Sequence, residues 1–269
     1  MSPVTVSGGH SDFHALMFTK AIVKTPGESM RNGLSQAGLG RPDFRLALLQ
    51  HQNYIRALEA CGLEVVVLEA DEALPDSVFV EDTAVFLEAC AVVTQPGAPT
   101  RRQETVAVEA ELRKHVSNLE FISGEGFLDG GDVMCIGNTL YIGLSSRTNQ
   151  KGADQLAGIA GAYAYRSVQV PLETMLHLKT GVNHLTENYL LVTGEFVGKA
   201  VFQEYRQIIV PHEESYAANS LWVNGRVLIP AGFPRTRAKI DALGLPTLEV
   251  DVSEYRKLDG GLSCLSLRF

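Results

Sequence analysis

The chain has 269 residues, 45% of them hydrophobic, enough for a substantial core in one large α/β domain or two small ones. Its formal charge of −8, with no long Lys/Arg run, argues against a nucleic-acid partner and suits a cationic small ligand. The first 18 residues lack a basic segment followed by an apolar one, and no stretch approaches the roughly 18 apolar residues of a membrane span. A soluble, non-exported, cytoplasmic protein is the expectation.

Residues 1–17 read as a flexible tail rich in Gly and Ser, ahead of one domain expected to span 18–269. Residues 18–23 read as a strand, 43–60 as a helix capped by Gly62, and 63–68 as a second strand. Apolar strands follow over 83–93, then a charged amphipathic helix over 101–115 and a short strand over 119–122. Residues 133–144 form a hairpin turning at Gly137-Asn138, with a helix over 148–162 and a strand over 167–170. Extended segments between 177 and 192 precede a helix near 199–206 and a strand at 208–210. A hairpin over 221–230 turns at Asn224-Gly225, a helix over 234–243 opens on Pro234, and a strand covers 248–252.

The pattern of hairpin, helix and strand recurs four times at about 45 to 50 residues, a period typical of radial or solenoid arrays. A fifth unit is complete only if 264–269 pairs with 18–23, which would close the array into a ring. The segments opening the hairpins would then face the axis, and two of them share the tetrapeptide Leu-Asp-Gly-Gly, at 128–131 and 258–261. The alternative is a doubly wound α/β sheet, since strands alternating with helices usually make βαβ units. Turns at Asn-Gly and Gly-Asn favour antiparallel pairs and hence the ring.

Cys61, Cys90, Cys135 and Cys264 lack the spacing of a zinc site or disulfide framework, leaving four free thiols. The first three stand within apolar stretches, as small hydrophobes do. Cys264 follows Gly260 and Gly261, which permit a close backbone approach or a positive φ, and so is the candidate nucleophile. A thiol with a reference pKa of about 8.5 needs a base, a cation or a charged substrate to ionise it. Of seven histidines, His10 and His14 lie in the tail, His51 and His115 suit solvated or capping roles on helices, and His212 a surface loop. His177 and His184 remain, and His177, at a unit opening, is favoured. Asp76, Glu81, Asp82, Asp129, Asp132 and Asp259 also cluster at openings. They either satisfy turn amides, as suits Asp132 and Asp259, or form an anionic ring for a planar cation. Arg101, Arg102 and Arg147 lie at junctions between hairpins and helices, either as solvated helix starts or as partners for a substrate carboxylate.

The segments Leu74-Pro-Asp-Ser-Val-Phe-Val-Glu-Asp82, Leu128-Asp-Gly-Gly-Asp132, Gly143-Leu-Ser-Ser-Arg-Thr-Asn149, Leu176-His-Leu-Lys179, Ser215-Tyr-Ala-Ala-Asn219 and Leu258-Asp-Gly-Gly-Leu-Ser-Cys264 together closely resemble the dimethylarginine dimethylaminohydrolase family, from about Phe18 to the end. The resemblance implies the pentein fold, a five-bladed α/β propeller. It implies Cys264 as nucleophile, His177 as general acid/base and Asp129 as the carboxylate that orients His177. Asp76 and Asp82, with Glu81, would hold the guanidinium and the groups nearest it, and Phe79 would pack beside it. Arg101 and Arg147 would meet the amino-acid carboxylate, the Leu258 carbonyl the α-ammonium, and Leu34 would lie in a mobile loop over the pocket.

The implied reaction is hydrolysis of Nω-methylated arginine to L-citrulline and methylamine or dimethylamine through a covalent thiouronium on Cys264. That chemistry requires no metal or organic cofactor. The expected partner is the small-molecule substrate alone, with neither nucleic acid nor membrane, in a monomer or homodimer. Two alternatives remain at this point. An arginine deiminase would use the same cysteine and histidine on unmethylated arginine, though such enzymes generally carry an inserted helical domain. A non-catalytic binder of arginine-like cations would use the acidic axis but would need neither Cys264 nor His177.

Overall fold

The computed structural model describes residues 17–186 and 188–269, so that the expected tail, except Met17, lies outside the described residues along with His10 and His14. Five strands carry nearly unbroken apolar sequence: β1 (Lys20–Lys24), β4 (Cys90–Val93), β7 (Thr139–Leu144), β10 (Tyr189–Val192) and β13 (Arg226–Pro230). A strand apolar on both faces must be covered on both. Each is the middle strand of its own three-stranded sheet.

One pattern builds all five sheets. A first strand pairs antiparallel with the middle one, and a third runs parallel to it. The sheets are β3 (Ala84–Leu87), β4 and β5 (Leu119–Phe121); β6 (Val133–Ile136), β7 and β8 (Arg166–Pro171); β9 (Val182–His184), β10 and β11 (Arg206–Ile209); and β12 (Leu221–Val223), β13 and β14 (Thr247–Val250). In the fifth, β1 is flanked by β2 (Glu64–Leu68) in parallel and by β15 (Leu267–Arg268) antiparallel, with Ala21 opposite Arg268 and Ile22 opposite Leu267. The doubly wound alternative is thereby replaced by five small mixed sheets.

Alternate residues of each middle strand enter different cores. Ile22 packs with Ala91 and Val93, Val92 with Leu140 and Ile142, Tyr141 with Leu190 and Val192, Leu191 with Val227 and Ile229, and Leu228 with Ala21 and Val23. Every sheet thus shares one core with the sheet before it and another with the sheet after it. The last core returns to the first sheet, so the ring is a closed five-bladed α/β propeller.

Helix α1 (Phe44–Ala60) starts where Asp43 accepts the Leu46 N–H and stops at Cys61, with Gly62 in the left-handed region at φ 89°. Four expectations need correction. The helix at 101–115 divides into a 3-10 turn at Pro99–Glu104 and α2 (Thr105–Leu112). That near 199–206 is only a 3-10 turn, Ala200–Phe202, because Gly194 and Gly198 take positive φ before it and its apolar Phe196 and Phe202 anchor loops instead. The strand expected from Cys264 shrinks to Leu267–Arg268, and Cys264 sits in a 3-10 turn, Ser263–Leu265. His51 is buried, not solvated, and burial pulls its pKa down to about 4. The remaining α-helices are α3 (Gln150–Ala162), α4 (Leu178–Gly181), α5 (Pro234–Asp241) and α6 (Ser253–Arg256). No helix among the described residues is long and apolar enough to cross a membrane.

The two ends of the chain are also joined by side chains. Tyr54 of α1, wholly buried, donates its hydroxyl to the Leu262 carbonyl at 2.9 Å and lies 2.7 Å from Ser266 Oγ. Tyr54→Phe removes one buried hydrogen bond from the Leu262 carbonyl, while Ser266 Oγ keeps the one it accepts from Arg268, and is expected to lower unfolding free energy by about 0.5–1.5 kcal/mol. Urea denaturation measures it; an unchanged midpoint and slope would show that the bond is dispensable.

Candidate active site

A helical turn precedes the first strand of every hairpin: residues Val80–Thr83, Gly130–Asp132, Leu178–Gly181, His212–Ala218 and Ser263–Leu265. Successive turns pack against one another around the axis, which brings residues 182 positions apart in sequence into contact. The Gly-Gly pairs make this possible by close approach, and none of their four glycines has positive φ. A Cβ on Gly130 would stand 2.0 Å from the Glu81 carbonyl oxygen, and one on Gly260 2.2 Å from Phe79 Cε1.

Between the turns lies a cavity of about 200 Å³ lined by Asp76, Phe79, Asp82, Arg101, Arg147, His177, Leu258 and Cys264, with Leu34 at its rim. Among the residues expected to form the site, Asp129, which stands behind His177, is absent from that lining, and so is Glu81. The Glu81 carboxylate is turned away, 2.7 Å from Lys179 Nζ, and accepts from Ser263 Oγ at 2.6 Å. Glu81 therefore braces the turn that carries Cys264. Asn219 completes that brace, accepting from the Ser263 N–H and donating to Ser263 Oγ.

His177 stands at the N-terminal end of α4, and its Nε2 is 2.9 Å from Asp129 Oδ2. Asp129 is wholly buried and accepts the Gly97 N–H on its other oxygen, which fixes the carboxylate and through it the ring. Asp132, the next acid along, accepts from Ser145, Thr148 and the Leu178 N–H. It is structural, as the turn-amide reading anticipated, although the amide it holds belongs to the neighbouring unit. His184 lies in β9, paired opposite Leu190.

The two arginines expected to share one task are placed differently. Arg101 is buried with its guanidinium committed to Asp82, Glu104 and the Phe79 carbonyl. Arg147 lines the same cavity with a buried Nη1 that has no hydrogen-bond partner and lies 3.8 Å from Asp129 Oδ2. Arg147 thus has donor capacity to offer an anion, whereas Arg101 serves to hold Asp82. Arg102 donates to the Pro96 carbonyl outside the cavity.

The cavity is strongly anionic, and the electrostatics follow. Burial first, then the Glu81 and Asp82 charges, push the Cys264 thiol up to about 12. Burial alone would lower the His177 imidazolium, but the Asp82 charge and the bond to Asp129 outweigh it and raise it to about 9. Asp82, despite burial, is held at about 2 by His177 and Arg101. At neutral pH the pair is a neutral thiol beside an imidazolium, not a thiolate-imidazolium pair. Asp82, Asp129 and His177 offer ligand atoms within 4.8 Å of one another, a spacing a metal could bridge, but both carboxylates already neutralise Arg101 and His177.

With this geometry in view, comparison with known proteins is decisive. A model of the family N,N dimethylarginine dimethylhydrolase, eukaryotic, matches residues 43–230. The N(G),N(G)-dimethylarginine dimethylaminohydrolase of Pseudomonas aeruginosa is 49% identical over 254 residues, spanning 94% of this chain and all of that protein. The chain belongs to the dimethylarginine dimethylaminohydrolase family. The Streptomyces coelicolor dimethylarginine dimethylaminohydrolase is 36% identical over 250 residues, 93% of this chain and 96% of its own. A solved structure of the Pseudomonas family member, a cysteine-to-serine variant with citrulline bound, superposes with a TM-score of 0.93 at 48% identity over 94% of this chain and all of that one. The N-terminal domain of a cyanobacterial arginine dihydrolase, at 18% identity and TM-score 0.83 over 93% of this chain and 97% of that one, shares the fold.

The sequence singled out the reacting groups but not what steadies them. Lys179 and Ser263 stood inside the quoted motifs, and only the tertiary structure joins them through Glu81. A thiol held at about 12 predicts that iodoacetamide alkylation of Cys264 in the free protein keeps climbing, about tenfold per pH unit, through pH 10. Peptide mass spectrometry over a pH series measures this; a plateau below pH 8 would reveal a thiolate already formed at rest.

Proposed function

We propose that the protein hydrolyses Nω-methylated L-arginines to L-citrulline with release of methylamine or dimethylamine, residues 18–269 acting as the catalytic domain. The observation that carries this reading is one cavity lined at once by a thiol, an imidazolium anchored to a buried carboxylate, three further carboxylates and an arginine with an unpartnered N–H. It is supported by the family to which the chain belongs.

The substrate guanidinium binds against Asp76 and Asp82 beside Phe79, with its amino-acid carboxylate at Arg147 and its α-ammonium at the Leu258 carbonyl. Burial pushes the free Asp76 carboxyl up, and an incoming cation reverses that cost. The same cation offsets the Glu81 and Asp82 charges that hold the thiol up, each pKa unit so removed being worth about 1.4 kcal/mol. Cys264 then loses its proton to solvent, and its sulfur attacks the guanidinium carbon.

His177, protonated at rest, gives its proton to the departing amine, and that carbon–nitrogen bond breaks to leave a thiouronium on Cys264. Water attacks the same carbon, His177 takes a proton from it, and the carbon–sulfur bond breaks to release citrulline. His177 thus acts first as acid and then as base. Asp129 holds its ring throughout and stabilises the charged form.

Incubation with asymmetric dimethylarginine and with arginine, followed by citrulline, dimethylamine and ammonia analysis, tests the activity. Citrulline and dimethylamine from the methylated substrate are expected, little ammonia from arginine, and no turnover by Cys264→Ser. Absence of citrulline, or activity surviving in that variant, overturns the reading; ammonia from arginine as the main product would instead mark an arginine deiminase. Arg147→Met is expected to raise KM by about 10- to 100-fold with kcat nearly kept, the loss of a charged hydrogen-bond pair worth about 1.5–3 kcal/mol. Steady-state kinetics measure it, and an unchanged KM would remove Arg147 from the carboxylate site.

A further inference from the structure

Residues 34–36 cross the mouth of the cavity as a strap, and all three line it. The Leu34 N–H donates to Asp76 Oδ1 at 2.9 Å, Ser35 Oγ to the Lys257 carbonyl at 2.7 Å, and the Gln36 N–H to Asp259 Oδ2 at 2.6 Å. Two of the three anchors thus lie on the turn that also presents Leu258. Asp259 reaches the strap because its backbone is left-handed, φ 58°, a conformation that residues other than Gly, Asn and Asp resist. The aspartate of the other Leu-Asp-Gly-Gly segment, Asp129, has φ −97° and turns its carboxylate to His177 instead. One tetrapeptide in two backbone states serves two tasks.

A second, wider cavity of about 890 Å³ also reaches Cys264. The two cavities have Gln36, Ser146, Leu176, Asp259 and Cys264 in common, so the hydrogen bond between Gln36 and Asp259 stands in the partition between them. The reaction proposed above has a need that matches this division. After the amine departs, the rest of the substrate stays on Cys264 while a water must arrive.

We propose that Asp259 is a positioning residue that holds the strap shut over the amino-acid half of the substrate. The face of Cys264 toward the wider cavity stays reachable, so that amine leaves and water enters without the strap opening. This assignment rests on the hydrolase reading above and adds a residue that touches neither the reacting carbon nor the nucleophile.

The test compares Asp259→Gly with Asp259→Asn using asymmetric dimethylarginine as substrate. Glycine keeps the left-handed backbone and loses the acceptor, whereas asparagine keeps both. Asp259→Gly is expected to raise KM about tenfold with kcat within about twofold, while Asp259→Asn stays near the wild-type protein. Alkylation of Cys264 by iodoacetamide in Asp259→Gly should proceed at the wild-type rate, because the nucleophile and its wider approach are untouched. Ser35→Ala, which removes a neighbouring anchor on the exposed strap, should shift KM the same way and covers the case of a poorly folded glycine variant. An unchanged KM in both Asp259→Gly and Ser35→Ala overturns the proposal, as does an equal rise in the glycine and asparagine variants, or a fall in kcat matched by slower alkylation. Failure of the hydrolase reading itself is seen separately, as absence of citrulline from the wild-type protein.

Discussion

Five middle strands that are apolar on both faces impose the constraint from which the rest follows. No single strand of this kind can be left at the surface, and no open row of five sheets would cover the outer faces of the first and last. Closure meets the requirement, because each core is then shared by two neighbouring sheets and none is left over. The junction of the chain's ends in the sheet of β15, β1 and β2 is the local expression of that constraint. It also places Cys264 three residues ahead of a strand locked into the ring, which is why a nucleophile this near the end of the chain is held in place.

Closure has a second consequence at the axis. The helical turns that start the hairpins are forced together, and the polar groups they carry are buried there with only one another as partners. Three of the buried carboxylates are met by a cation, Asp82 by Arg101, Asp129 by His177 and Glu81 by Lys179, while Asp132 is held by neutral donors. The balance remains negative around Cys264, which suppresses the free thiolate and makes the site responsive to a bound cation. Packing of the propeller and suppression of the free Cys264 thiolate are therefore two results of one burial event.

Much of this was legible in the sequence. Turns at Gly137-Asn138 and Asn224-Gly225 and the Gly62 stop are local signals, and each falls where expected, while Asp43, read as the first helical residue, is the cap just before it. The helix near 199–206 did not form because Phe196 and Phe202 are drawn into a core shared with distant strands, which leaves only short turns between them. The family resemblance paired Glu81 with Asp82 at the guanidinium, yet consecutive residues on a tight turn point apart, and of the two only Asp82 lines the cavity.

The sequence by itself determined the alternation of apolar strands with turns, the number of units and the residue types able to react, because these depend on neighbours within a few positions. Tertiary structure alone decided what each polar residue does. Asp129 and Asp259 stand in identical tetrapeptides, and one orients His177 while the other anchors the strap, because backbone φ and the facing unit differ. Arg101 and Arg147 likewise parted roles only in the folded chain, where Asp82 stands beside one and the other keeps an Nη1 without a hydrogen-bond partner. Partners more than a hundred positions away are chosen by closure of the ring, which no local pattern encodes.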